Sequence, residues 1–176
     1  MVVLSVSITE MAGFAVVTIS DRCSAGLQVD LTGPAVVRLL EQAWPGDHAP
    51  LTVGRGLVPD NEDAITTLLV ELCHQEYELI LTAGGTGLGP RDVTPEATRR
   101  VIEREVPGLA EAMRVGCAPS YRHAWLSRAV AGLKGKTLIV NLPGSERGAV
   151  ESLSVILPLL PHALEVAAGG VVHPKH

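Results

Sequence analysis

The stretch LTAGGTGLGPRDVTPE, residues 81–96, leaves an apolar run, crosses four glycines and meets an Arg-Asp pair just before what reads as a helix start. A strand passing through a turn into a helix is the repeating unit of a parallel α/β sheet, so this passage frames the rest of the chain. Leu79–Thr82 is its strand; Thr94 is expected to cap the helix, with Pro95 as first residue and Glu96 reaching Arg100 one turn on. Upstream, FAVVTI at Phe14–Ile19 is a continuous β-branched run, which suits a strand buried on both faces. The turn-rich SDRCSAG follows, and Pro34 opens a helix whose stripe is Val36, Val37, Leu40 and Ala43, ending near WPGD. Leu51–Val58 reads as another strand, and Asp60 is placed to cap a helix with Ala64, Ile65, Leu68, Leu69 and Leu72 on one face. Downstream come a helix from about Pro107 to Gly116 and two strand-like runs joined by a Gly-Lys turn, the second being Thr137–Leu142. A closing helix from about Arg147 should bend at Pro158 or Pro161. The alternation predicts an α/β fold with a mostly parallel sheet covered on both faces.

With 176 residues, 47% hydrophobic and 19% charged, the chain can bury the core of one domain. A formal net charge of -5 and a pI near 5.6 argue against a protein built to neutralise nucleic-acid phosphates, so any phosphate should be met locally by loops. Cys23, Cys73 and Cys117 form no CxxC pair, which fits neither a disulfide framework nor a zinc site and suits a reducing cytoplasm. The six histidines show no ligand spacing. Residues 1–20 carry no basic leader, and the apolar tail 150–172 is broken by Glu151, His162, Glu165 and two prolines. Neither export nor a membrane span is expected.

In an open parallel sheet the ligand crevice lies beyond the carboxyl ends of the strands, so the loops there are the candidates for chemistry. They hold Ser20, Asp21 and Arg22; Pro59 and Asp60; the glycine run with Asp92; and NLPGS at 141–145. GGTGLGP departs from the G-x-G-x-x-G spacing of a dinucleotide fingerprint. GLKGKT is no P-loop either, because Val130 stands where the first glycine belongs and the lysine precedes a strand. The glycines can instead present bare N–H groups to an anion. Asp60 and Asp92 each have a structural explanation, as an N-cap and as a charge favoured near a helix start. Together at the lips of adjacent strands they form a candidate Mg²⁺ site, since that ion is commonly held by one or two carboxylates plus substrate phosphates. Arg22 and Arg91 can neutralise phosphate or pair with Asp21 or Asp92. Cys23 and Cys117 have no nearby His, so nucleophilic catalysis is not expected.

TISDRCSAG, LVPD, LTAGGTGLGPRDVTPEAT, LSRAVAGLKGKTLIVNLPGS and ILPLLPHAL, taken in this order, resemble the molybdopterin adenylyltransferase family of molybdenum-cofactor biosynthesis, and at NLPGS the gephyrin-type G domain in particular. The resemblance runs from about Gly13 to Gly169, which implies an N-terminal extension 1–12, one molybdopterin-binding domain 13–169 and a tail 170–176. It implies a three-layer α/β/α domain that forms homotrimers, or dimers of trimers, and that uses Mg²⁺ and ATP to adenylylate molybdopterin with release of pyrophosphate. Molybdopterin synthase and a molybdate-insertion enzyme are the implied neighbours in the pathway. By motif, Asp60 and Asp92 would serve the metal and catalysis, and Gly84, Gly85, Thr86 and Gly87 would cradle phosphate. Ser20, Asp21, Ser127, Asn141 and Gly144 would line the pterin and nucleotide pocket. Two departures stand out: Cys117 replaces a serine frequent in relatives, and Glu146 follows NLPG close to an anion site. The competing reading is a non-catalytic molybdopterin-binding or trimeric scaffold protein of the same fold.

Overall fold

The computed structural model describes residues 13–45 and 53–170. Strand β1 is Phe14–Ile19, as predicted, with every residue buried. Its residues alternate between two cores: Phe14 and Val16 pack on one side, Ala15, Val17 and Ile19 on the other. The SDRC segment, expected as loop, forms a single helical turn α1 (Asp21–Ser24) capped by Ser20, whose hydroxyl accepts from the Cys23 N–H. Helix α2 (Thr32–Ala43) starts two residues before Pro34 because Asp30, outside the helix, accepts the Gly33 N–H. Strand β2 is Val53–Val58; the expected strand residues 51 and 52, the end of WPGD, the extension 1–12 and the tail beyond Gly170 lie outside the described residues.

Helix α3 (Glu62–His74) corrects the expected cap, since Asn61 accepts the Ala64 N–H while Asp60 is engaged elsewhere. Strand β3 is Leu79–Ala83 and helix α4 is Thr94–Val101. Thr94 is not the cap of α4. It is buried inside the first turn, and its hydroxyl donates backwards to the Gly84 carbonyl. A two-residue strand β4 (Arg104–Glu105) and helix α5 (Pro107–Cys117) follow. After a 3-10 turn at Arg122–Leu126 come β5 (Ala131–Lys134) and β6 (Thr137–Leu142), the hairpin foreseen around the Gly-Lys turn. The closing helix is broken as Pro158 requires: α6 (Glu146–Ile156), a 3-10 turn (Leu157–Leu159) and α7 (Leu160–Ala167). By length and composition the run Glu146–Ala167 could cross a membrane. Its Ala149, Leu153, Ile156, Leu157 and Leu160 are nevertheless buried in the core.

The sheet has six strands in the order β2-β1-β3-β6-β5-β4. β2, β1, β3 and β6 are parallel, and β5 and β4 add antiparallel at one edge. Helices α2, α5, α6 and α7 bury Val36, Leu40, Leu109, Met113, Leu153 and Leu160 against one face. Helices α3 and α4 bury Ile65, Leu69, Ala97 and Val101 against the other. The result is the three-layer α/β/α arrangement. The chain leaves β1 towards β2 on one side and reaches β3 on the other, so strand order reverses beside β1. A crevice opens at such a switch point, beyond the strand ends.

Candidate functional site

An open crevice of about 650 Å³ lies at that place, bounded by Ser20 and Asp21 after β1, Asp60 after β2, Gly84 and Gly85 after β3, and Gly144 after β6. The sheet register explains the convergence: Ile19 is level with Val58, and Ala83 with both Thr18 and Leu142, so four loops depart at nearly the same height.

The first two loops are tied by a reciprocal exchange. The Asp21 N–H donates to Asp60 Oδ2 at 2.8 Å and the Asp60 N–H donates to Asp21 Oδ1 at 3.0 Å. Asp60 is therefore withdrawn from α3, which is why its neighbour Asn61 caps that helix. Arg91 pairs with the second oxygen of Asp21 at 2.5 Å, one of the two roles the sequence left open for it. Arg22 is exposed at the crevice edge.

The glycine loop is built by close approach. Gly84 has φ +124°, and a Cβ there would sit 2.1 Å from the Ile19 carbonyl oxygen. Gly85 has φ +62°, and its Cβ would meet the Thr94 hydroxyl at 2.3 Å. A side chain at Gly84 would require the backbone to move, and one at Gly85 would be strained by the positive φ and would displace the Thr94 hydroxyl. The two carboxylates singled out from the sequence both abut this loop: Asp60 Oδ1 lies 3.2 Å from the Cβ position of Gly85, and Asp92 Oδ2 lies 2.9 Å from that of Gly87. Asp92 does not line the crevice; its Oδ2 accepts the Gly89 N–H at 2.8 Å and closes the turn.

Other expected pocket residues are placed differently. Asn141 is fully buried, with its amide donating to Thr82 and Thr98 and its oxygen accepting the Val130 N–H. From β6 it crosslinks β3, α4 and the residue just before β5 in the core, and it is not a pocket wall. Ser127 accepts the Ala129 N–H and lies by α5, outside the crevice. Thr86 is buried beneath the loop and Gly87 half-buried, so neither lines the crevice surface. Cys117 is buried against Ser152, with 3.7 Å between sulfur and oxygen, away from the crevice. Glu146 lines the crevice and is exposed on the first turn of α6. Burial pushes the Cys73 thiol up despite its hydrogen bond with Thr137, which disfavours the nucleophilic thiolate.

Sequence reasoning missed Arg128. It stands beside Ser127 and holds the underside of the glycine loop: its N–H donates to the Thr86 carbonyl at 2.9 Å and its Nε to the Gly87 carbonyl at 2.7 Å. One Nη donates to the Asp92 carbonyl and the other pairs with Glu96. The expected Glu96–Arg100 pair is thereby replaced, and Arg100 turns to Glu62 and Asp63 on α3. Burial opposes ionisation of Glu96, but the hydrogen bond and charge of Arg128 prevail and hold its carboxyl below the usual range. No local signal marks Arg128, because its partners come from a distant stretch of chain.

The family described as "Probable molybdopterin binding domain" matches residues 15–162. Gephyrin of Dictyostelium discoideum is 40% identical over 154 residues, 85% of this chain but 21% of that protein. The chain thus spans only about a fifth of this longer relative. Molybdopterin adenylyltransferase of Helicobacter pylori strain J99 is 36% identical over 155 residues, 88% of this chain and 86% of that protein. Among solved structures, the molybdopterin biosynthesis enzyme MoaB of Thermus thermophilus superposes with a TM-score of 0.81 at 46% identity, covering 90% of this chain and 98% of that one.

Proposed function

The chain belongs to the molybdopterin-binding domain family of molybdenum-cofactor biosynthesis, and from that premise we propose that it is a molybdopterin adenylyltransferase. The observation that carries this reading is the convergence of loops with bare backbone and carboxylates, Ser20–Asp21, Asp60, Gly84–Gly85 and Gly144, on one crevice at the switch point.

Among the described residues no three His, Cys, Asp or Glu side chains gather into a metal cage. The proposed metal is Mg²⁺, an ion commonly held by one or two carboxylates together with substrate phosphates. Asp60, which lines the crevice with Oδ1 beside Gly85, is the carboxylate that would hold it there, and Asp92, whose Oδ2 is engaged by the Gly89 N–H, would join through Oδ1. When bound, the ion would offset phosphate charge and polarise the reacting phosphoryl group.

In the proposed reaction the terminal phosphate of molybdopterin attacks the α-phosphate of ATP. A P–O bond forms there as the α–β bridge breaks, and the electron pair leaves with pyrophosphate. Such a transfer requires little covalent help, so positioning and charge stabilisation carry the rate. The N–H groups of the glycine loop bind the phosphates and Arg22 offsets their charge. Asp21, fixed by Arg91 and by the Asp60 N–H, keeps the β1 and β2 loops at a constant separation. A homotrimer in a reducing cytoplasm, receiving molybdopterin from its synthase and passing adenylylated pterin to molybdate insertion, completes the proposal. The unpaired cysteines among the described residues support the compartment.

Incubating the purified chain with molybdopterin, ATP and Mg²⁺ tests the reading, with pyrophosphate and adenylylated pterin as expected products. Pterin binding with neither product would replace it by the non-catalytic binding protein.

A further inference from the structure

Four successive carbonyls of the glycine loop are each held by a hydrogen bond from Thr94 or Arg128. The Gly84 carbonyl accepts from the Thr94 hydroxyl, Gly85 from the Thr94 N–H, Thr86 from the Arg128 N–H and Gly87 from Arg128 Nε. In a trans peptide the N–H of the next residue points opposite to the carbonyl. Tying down these carbonyls therefore turns the N–H groups of Gly85, Thr86, Gly87 and Leu88 away from α4 and Arg128. Among the described residues these N–H groups have no hydrogen-bond acceptor, although Thr86 is buried. Buried backbone donors rarely stay unpaired.

The Arg128 guanidinium is itself spent on protein. Nε serves Gly87, one Nη serves the Asp92 carbonyl and the other serves Glu96. It has little capacity left to bind phosphate, and its role must be exerted through the loop. We propose that Arg128 is the positioning residue of the phosphate cradle: its backbone N–H holds the Thr86 carbonyl and its planar fork fixes the Gly87 and Asp92 carbonyls, so that the loop's N–H groups are set for an anion before it arrives. Glu96 braces the fork from the opposite side. The inference rests on reading the glycine loop, whose Gly84 and Gly85 line the crevice, as a phosphate site, and it assigns the loop's order to a residue remote from it in sequence.

A lysine at this position keeps the charge but cannot reproduce the fork, so Arg128→Lys separates geometry from electrostatics. Inorganic pyrophosphate, titrated calorimetrically, is the probe because its binding needs no turnover. R128K should retain an unfolding midpoint close to wild type and bind pyrophosphate about tenfold more weakly. In turnover, KM for ATP should rise more than kcat falls, since the amides grip ground state and transition state alike. E96Q, which removes only the brace, should fold and show a smaller loss in the same direction. A folded R128K that binds pyrophosphate like wild type overturns the inference. If R128K does not fold, unchanged binding by E96Q overturns it. A wild-type chain that does not bind pyrophosphate overturns it as well, whereas binding without adenylylated product removes the adenylyl-transfer reading and leaves the role of Arg128 standing.

Discussion

Asp60 shows how one side chain can be read correctly as to type and wrongly as to partner. An aspartate before a helix is a natural N-cap, yet Asn61 has the same capability and takes the position, because the Asp60 carboxylate is claimed by the Asp21 N–H. That claim joins residues from different loops and leaves no trace in either local sequence. That Asp60 and Asp92 flank the glycine loop was legible, since residue type and position after a strand are both local, but that Asp92 closes the turn outside the crevice was not; nor was Arg128, because its meaning lies in carbonyls it meets only after folding. Replacing Asp60 or Asp92 by Asn keeps the oxygen that accepts from Asp21 or Gly89 and removes the charge. Both variants should fold normally, by circular dichroism and thermal melting, while pyrophosphate release drops by about tenfold or more. If both release pyrophosphate at the wild-type rate, the proposed metal carboxylates are the wrong ones.

At the scale of elements, strands were easier to bound than helix starts. β1 and β6 matched the predicted limits because runs buried on both faces are apolar from end to end. α2 and α4 shifted because Asp30 and Thr94 hydrogen-bond from unexpected positions. The expected i,i+4 pair on α4 failed for a related reason: Arg128 reaches Glu96 from the segment just before β5, and a tertiary partner supplying several donors displaces an exposed helical pair. This exchange makes α4 pH-sensitive. The Glu96 carboxyl has its pKa lowered in the folded chain, so its stabilisation is fully present above the unfolded value of about 4.3 and fades as pH falls through the lower folded value. The side chain is 40% exposed, and an ion pair so open to solvent contributes under about 1 kcal/mol. Urea unfolding of wild type and E96Q should show wild type modestly more stable at pH 7 and the gap narrowing as pH falls below the unfolded carboxyl value. A gap independent of pH would mean that the pair contributes no charge-dependent stability.

For the whole molecule, layers and parallel sheet follow from alternating β and α units, but strand order does not. Local patterns give each strand its burial and leave open which neighbour it takes, and the β2-β1-β3 reversal that creates the crevice is set by that choice. Assembly is a further property of the whole surface. Between residues 115 and 126, Val115, Tyr121, Trp125 and Leu126 are each more than half exposed, at 59%, 56%, 59% and 51%. Large apolar side chains gathered in one segment are costly to leave in water, and on soluble proteins such patches commonly mark contact surfaces. This supports the proposed homotrimer, in which copies of the 115–126 segment would meet. Light scattering after gel filtration should then give a mass three times the 18.5 kDa of the chain. Trp125→Glu should lower that mass without changing the far-ultraviolet dichroism, since a charge placed in an apolar interface is poorly compensated. A wild-type mass of one chain rules out the trimer, and a trimeric W125E rules out this segment as its contact.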